Sequence, residues 1–407
     1  MRKVIVALVT CVAALAGMGL IFVASASSVR AANNYGDSHY FITRQVIWMV
    51  LAVALGFMAA RFDYHLWARH RWLLIGLLVV ALAGLIAVFV PGLGIRSHGS
   101  SRWVGYGAVR FQPSELAKVA TVLLLSVWMS SIGWRVRTFW KGFLLPMGGL
   151  AIFLGLLLKE PDFGATLVTA VVGAGILFVA GTRWIYVLGA GFLGCLGFLG
   201  MLLHDKVRSE RMMVYVVKLC GQTSWITEKL AGLLDKSVAQ VLQDVATSDK
   251  KHQVEQSVLA FINGGEWGVG LNNSMQKHYY LPEAHTDFIY AIAGEEWGMP
   301  ATLGILLAFG VILICGLLIA TRAPDRLGRL MAFGLTVLMV FQACFNIGVV
   351  TDCLPTKGLA LPFISYGGSN LLTAFIAVGI LINIGMHIEE PDEHVRAQLY
   401  DGEWRDG

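Results

Sequence analysis

Residues 287–320 read DFIYAIAGEEWGMPATLGILLAFGVILICGLLIA, and past the opening Asp287 only Glu295 and Glu296 are charged. At about 1.5 Å of rise per residue, a helix of about 20 apolar residues crosses the roughly 30 Å hydrocarbon core of a bilayer. This run is therefore a membrane span. Stretches of the same kind lie near 4–27, 42–60, 72–91, 113–132, 142–159, 163–182, 185–203, 329–350 and 367–387. Hydrophobic residues make up 57% of the 407 and charged ones 14%, well below the roughly one quarter of charged residues usual in soluble domains. Lipid offers no partner for an unpaired backbone group, and the runs lack the alternation of barrel strands, which leaves helices. The expected fold is an all-α polytopic membrane protein of about ten transmembrane helices, one domain over 1–407. It carries a large extracytoplasmic loop at 204–286, between the seventh and eighth spans, and a cytoplasmic tail at 388–407.

With the N-terminus inside, the inner connections hold Arg2, Lys3, Arg61, Arg69, Arg71, Arg135, Arg137, Lys141, Arg183, Arg322, Arg326 and Arg329. This asymmetry of positive charge orients helices. It accounts for the net charge of +5 and leaves no nucleic-acid signal; both termini then face the cytoplasm. Met1-Arg2-Lys3 and Ala24-Ser25-Ala26 imitate a signal peptide, but the apolar run from Val4 to Ala26 exceeds the roughly 7–15 residues of a signal core. It reads as an uncleaved first helix. Cys11, Cys195, Cys220, Cys315, Cys344 and Cys353 form no CxxC pair and no metal-like spacing. Cys220 and Cys353, both outside, are two unrelated thiols or a single bridge. In the long loop, Ile226, Leu230, Leu234, Val238, Val241 and Val245 recur at helical spacing, with Glu228, Lys229, Asp235, Lys236 and Asp244 on other faces. They predict an amphipathic helix, lying on the membrane or the protein, or binding a partner.

Nearly every unusual motif falls outside. In the loop from Arg96 to Lys118, Gln112-Pro113-Ser114-Glu115 starts a helix, with Pro113 in its first turn and Glu115 suited to the positive end. Lys118 sits a turn deeper, where an unpaired ammonium costs about 3 kcal/mol. Asp162, in the corner Glu160-Pro161-Asp162-Phe163-Gly164, returns a carboxylate to the same level and is its expected ion-pair partner; the alternative is two snorkelling side chains that never meet. The glycines of 264–271 imply close backbone turns, such as a re-entrant segment lining a wet cavity, and no Walker lysine accompanies them. Asp287 opens its span beside His285 and Thr286 and reads equally as a helix cap or as a general base at the water-to-lipid boundary. Glu295 and Glu296 are functional acids at membrane depth or hydrogen-bonding groups in a polar bundle interior. Lys357, Ser365 and Ser369, in the shaped loop 354–369, are candidate donors to an anion such as a pyrophosphate, or ordinary loop solvation.

In this order, Arg102-Trp103, Gln112 to Glu115, Pro161 to Gly164, Ser274-Met275-Gln276-Lys277, Leu281 to Ala291 and Pro362 to Ser369 resemble the SEDS family (shape, elongation, division and sporulation) of bacterial cell-wall polymerases. Leu354-Pro355-Thr356-Lys357-Gly358, and Gln276-Lys277 followed by Leu281 to Phe288, look like its division branch. Asn272 stands where the family usually has glycine, a mild change because Asn tolerates left-handed backbone, and Asn370 where serine is commoner. The loop 204–251 has little likeness beyond Arg208 to Arg211.

The resemblance implies polymerisation of lipid II into glycan strands at the outer face of the inner membrane, at the division septum, with release of undecaprenyl pyrophosphate. The family's catalytic aspartate falls on Asp287, and its lysine–aspartate pair on Lys118 and Asp162. Substrate-binding candidates are Arg102, Gln112, Glu115, Gln276, Lys277, His285, Thr286, Lys357, Ser365 and Ser369. Lys118, Arg102 or a divalent cation, magnesium or manganese, would balance the leaving group. Implied partners are a class B penicillin-binding protein transpeptidase of the FtsI type and other division proteins. The rival readings are a lipid II flippase and a scaffold without catalysis. Against the flippase, the motifs crowd onto one face and no inverted repeat with paired broken helices is evident.

Overall fold

The computed structural model describes residues 1–97, 100–106, 109–204, 232, 249–278, 280–355 and 357–388. The amphipathic stretch 226–245 apart from residue 232, Cys220, Arg208 to Arg211, Thr356 and the tail beyond 388 lie outside the described residues.

The apolar runs become helices α1 (Arg2–Tyr35), α2 (Tyr40–Arg61), α4 (Arg71–Ala87), α5 (Pro113–Ser131), α6 (Leu145–Lys159), α7 (Phe163–Val179), α8 (Trp184–His204), α10 (Ile289–Arg322), α11 (Arg326–Val350) and α12 (Gly368–Met386). Two others, α3 (Leu66–Arg69) and α9 (Asp249–Gly264), lie in connections. Among the described residues, α1, α2, the segment Trp140–Lys159, α10, α11 and α12 are long and apolar enough to cross a membrane, and α4, α7 and the first part of α8 are shorter apolar helices. Helix α5 carries Glu115 and Lys118 and is buried along most of its length, so neighbouring helices surround it where α1 and α2 are largely open.

Start signals in the sequence position these helices. Pro113 occupies the first turn of α5, where its missing N–H costs nothing. Asp162 caps α7 by accepting from Ala165 N at 3.2 Å, and Asp325 caps α11 by accepting from Leu327 N at 2.9 Å. Helices α2 and α12 pack backbone to backbone: a Cβ on Gly379 would lie 2.2 Å from the Gly56 carbonyl oxygen, the small-residue approach typical of membrane helices.

Helix α10 is broken. Gly298 has φ 64° and ψ −150°, with Pro300 just after it. The segment 266–270 docks on the break: Val269 N donates to Glu295 O and Gly270 N to Glu296 O, both at 2.9 Å, and Met299 N donates to Glu266 O at 3.0 Å. Non-helical backbone at membrane depth is tolerated when protein meets its polar groups in this way. Gly268, with φ 77°, is required here, since a Cβ would stand 2.3 Å from Glu296 O.

The segment between α4 and α5 departs from the loop expected of it. Gly94–Ser97, Ser100–Tyr106 and Val109–Phe111 form a small antiparallel sheet in the order β1-β2-β3, with Ile95 opposite Trp103 and Val104 opposite Phe111. The reason is local: the segment stands beyond the helices, where strand pairing meets backbone groups that no helix supplies.

Candidate active site

The segments expected outside converge at one end of the bundle. Ser365 Oγ donates to Thr286 O at 2.6 Å and Tyr366 N to His285 O at 3.0 Å, joining the loop before α12 to the segment before α10. Gln112 N donates to Ser369 Oγ at 2.9 Å, bringing in the start of α5. All five non-glycine residues with positive φ among the described residues, Pro161 (29°), Asn272 (66°), Glu283 (56°), Asp352 (61°) and Phe363 (67°), lie in segments between helices. Such backbone strain persists where surrounding structure over-determines it, as at functional sites.

Asp287 is half-buried at the mouth of α10. The cap position of that helix falls one residue later, on Phe288, which makes no side-chain cap bond. Asn346 Nδ2 holds the aspartate's backbone in place, donating to Asp287 O at 2.7 Å and to Leu359 O at 2.6 Å. Gly358 lies directly against the carboxylate, because a Cβ there would stand 2.2 Å from Asp287 Oδ2. Its neighbour Lys357, half-buried, has Nζ 4.2 Å from the centre of the Phe163 ring. The Asp287 carboxylate thus fills the place a side chain at 358 would take, next in sequence to the Lys357 cation.

Around Asp162 a second polar group forms. Gln112 Nε2 and Ser114 Oγ donate to Asp162 Oδ2 at 3.3 and 3.4 Å, and Arg102 Nη2 donates to Pro161 O at 2.8 Å. Glu160 is sealed within this corner, and neither of its carboxylate oxygens has a hydrogen-bond partner. Burial first, then the charge of Asp162, pushes its pKa up to about 8, against the opposing pull of Arg102. In the unfolded chain the group ionises near 4.5, so its contribution to stability is full below that pH and is lost as pH rises toward 8. Glu160→Gln removes this loss. In chelator, its thermal midpoint should exceed that of the unsubstituted protein by a margin that grows from about pH 5 to about pH 8; equal midpoints across that window would contradict this reading.

Lys118 does not meet Asp162. Its ammonium lies 2.9 Å from Glu115 Oε1 and hydrogen-bonds Gln342 Oε1, with Lys118 and Glu115 both buried. The partner is three residues earlier on the same helix face, within direct reach, whereas Asp162 is engaged in capping α7. Thr373 and Asn370 complete this polar core, through Glu115 Oε2 and Gln342 Nε2. A cavity of about 20 Å³ lies beside it, enough for about one water.

Several candidates serve as internal ties. Lys277 is buried against Glu296 Oε1 at 3.4 Å and donates to Asn272 O and Oδ1, each at 2.6 Å. Glu295 accepts from Ser274 Oγ, from Met275 N at 3.1 Å and from Gln276 N at 3.3 Å, and Glu296 accepts from Ser25 Oγ. Glu296 therefore works as a cross-helix acceptor, and Glu295 holds the non-helical segment 274–276 against α10. His285 is buried between Phe41 and Tyr366, and burial pushes its pKa down to about 4, leaving a neutral ring. Thr286 Oγ1 donates to Glu283 Oε2 at 2.9 Å, and Glu283 faces Arg30 at 3.4 Å. Ser365, Ser369, Glu115 and Gln276 are buried. Asp287, Lys357, Arg102, Gln112 and Thr286 retain partial exposure. The residues missed in the sequence are Gly358, Asn346, Gln342 and the sealed Glu160, and only the glycine carried a signal, as one more turn residue.

No group of three or more His, Cys, Asp or Glu gathers as a metal site among the described residues. The donor set that suits a hard cation is the pair Glu160 and Asp162, two carboxylates of which one has both oxygens unpartnered.

A helix bundle of this kind, with its candidate carboxylate at one mouth and its buried ion pairs behind it, is a polytopic membrane protein with a polar corner at one end. Residues 6–390 match the family described as Cell cycle protein, that of FtsW, RodA and SpoVE, and the chain belongs to it. It is 39% identical over 375 residues to the probable peptidoglycan glycosyltransferase FtsW of Trichlorobacter lovleyi, covering 92% of this chain and 91% of that protein. With stage V sporulation protein E of Bacillus subtilis it shares 35% over 372 residues, 91% of this chain and 93% of that one. A chain solved in a study of polymerization and crosslinking by a peptidoglycan synthase complex superposes with TM-score 0.68 at 25% identity, covering 94% of this chain and 98% of that one. RodA of Thermus thermophilus shares the fold, with TM-score 0.62 at 23% identity over 94% and 97% of the two chains.

Proposed function

We propose that this protein is a peptidoglycan glycosyltransferase that links lipid II disaccharides into glycan strands during cell division. The names of its relatives support the reaction class, and the single observation that carries the site is Asp287, half-exposed with Gly358 against its carboxylate. Asp287 acts as general base on the acceptor sugar's 4-hydroxyl, which attacks the anomeric carbon of the donor as the C–O bond to the lipid pyrophosphate breaks. Direct displacement with one carboxylate inverts that centre, and no second carboxylate is needed to carry a covalent sugar intermediate. Lys357 and Arg102 face the pyrophosphate's charge; Lys118, tied to Glu115 and Gln342, is a strut beneath them. Magnesium or manganese, if bound, would be held by Glu160 and Asp162 and would supply charge neutralisation to the pyrophosphate.

The topology that fits is multi-pass in the bacterial inner membrane, both termini cytoplasmic and the Asp287 end outside, at the septum. The partner is a class B penicillin-binding protein, in keeping with the synthase complex to which the fold is similar. Purified protein with that partner should convert lipid II into long glycan, resolved by gel. Gly358→Ala puts a methyl group onto the Asp287 carboxylate and should slow that polymerisation about a hundred-fold, the scale of a roughly 1 Å misplacement, with the thermal midpoint held. Unchanged polymerisation would remove Gly358 from the site.

A further inference from the structure

At the end of the bundle opposite Asp287, three connections meet. Arg326 ties them together, donating to Gly133 O at 3.1 Å and to Ala180 O, while Thr182 Oγ1 donates to Gly142 O at 3.1 Å. Between them open three adjoining hollows of about 650, 430 and 300 Å³. Arg137, Arg183 and Arg326 line the largest, Arg135 and Lys141 the second, and Arg326 and Arg329 the third. Their one carboxylate, Asp325, is already engaged, capping α11 and accepting from the Tyr64 hydroxyl. Among the described residues, no carboxylate lies within 4.0 Å of Arg135, Arg137, Lys141, Arg183 or Arg329.

Concentrated positive charge without internal counter-charge is a site for an anion, and guanidinium forks match phosphate oxygens in pairs. The walls and rim indicate where that anion comes from. Phe139, Tyr186 and Leu145 line the hollows, and Trp134, Trp140 and Trp184 around them are 80, 68 and 62% exposed. Exposed tryptophans at helix ends mark the headgroup level of a bilayer, and basic pockets between helices at that level receive anionic headgroups. A freely soluble phosphate would gain nothing from the aromatic rim. We propose that this basic recess binds the phosphate of an anionic phospholipid headgroup, with the acyl chains leaving past the tryptophans.

The test uses the full chain in nanodiscs, with phosphatidylglycerol titrated into phosphatidylcholine and bound lipid counted by native mass spectrometry. Arg137→Gln/Arg183→Gln removes two exposed arginines that make no hydrogen bond needed for the fold. It should weaken phosphatidylglycerol retention roughly twenty-five-fold, the product of about five-fold for each arginine near an anionic surface. Arg69→Gln/Arg71→Gln removes the same charge outside the recess and should leave retention unchanged. Equal weakening in the two pairs would reduce the recess to general surface attraction and overturn the proposal. Displacement of the lipid by millimolar glycerol phosphate would also overturn it, in favour of a soluble anion.

Discussion

Asp287→Asn should leave the protein inserted and folded, with an unchanged thermal midpoint in detergent, and lower glycan synthesis from lipid II by about 10²–10⁴-fold, the usual weight of a general base. The substitution keeps the side chain's size beside Gly358 and removes only its capacity to take a proton. Asn346 holds the residue through the backbone carbonyl, a contact that the substitution leaves in place. Helix capping predicts a different outcome, a stability loss with catalysis intact; the position of Phe288 at the cap argues against it. Near-normal polymer from Asp287→Asn would remove the residue from the chemistry.

Lys118→Met carries the largest expected effect on stability. It leaves Glu115 charged and buried without its ammonium, an uncompensated charge worth about 3–5 kcal/mol, and frees Gln342 Oε1. Thermal unfolding in detergent should show a large drop that Glu115→Gln in the same chain substantially reverses. Asp162→Asn should give no such rescue, since Asp162 is bound to Gln112, Ser114 and the start of α7. Rescue by Asp162→Asn and not by Glu115→Gln would restore the pairing expected from the family.

The helices were legible because membrane spans are long and apolar and their starts carry chemical marks: Pro113 and Asp162 stand where α5 and α7 begin. Asn272 was readable for a related reason, as its left-handed φ of 66° is one that asparagine tolerates. The strands at 94–111 were not legible, because short pairings outside the bilayer depend on a partner strand rather than on a long pattern. Helix α9 was hidden for another reason, since the 16 residues Asp249–Gly264 are too short and on average too polar to read as a span. Within the site, residue types were evident and pairings were not. Nothing in one dimension ranks Glu115 above Asp162 as the partner of Lys118 except helical spacing, which was read as capping. Gly358 marked a turn, and only three dimensions disclose that the space it leaves belongs to the Asp287 carboxylate. Lys277, Ser365 and Ser369 have the chemistry of ligand donors, yet their hydrogen bonds run to Glu296, Thr286 O and Gln112 N.

The measurement that bears most directly on the polymerase reading is fluorescent lipid II presented to the purified protein, with and without the proposed class B penicillin-binding protein, in proteoliposomes, with glycan length and lipid translocation followed in the same sample. The account predicts long glycan, dependent on Asp287, from lipid II already exposed on the side that Asp287 faces, with no transfer between leaflets. Translocation of lipid II without polymer, insensitive to Asp287→Asn, would contradict it.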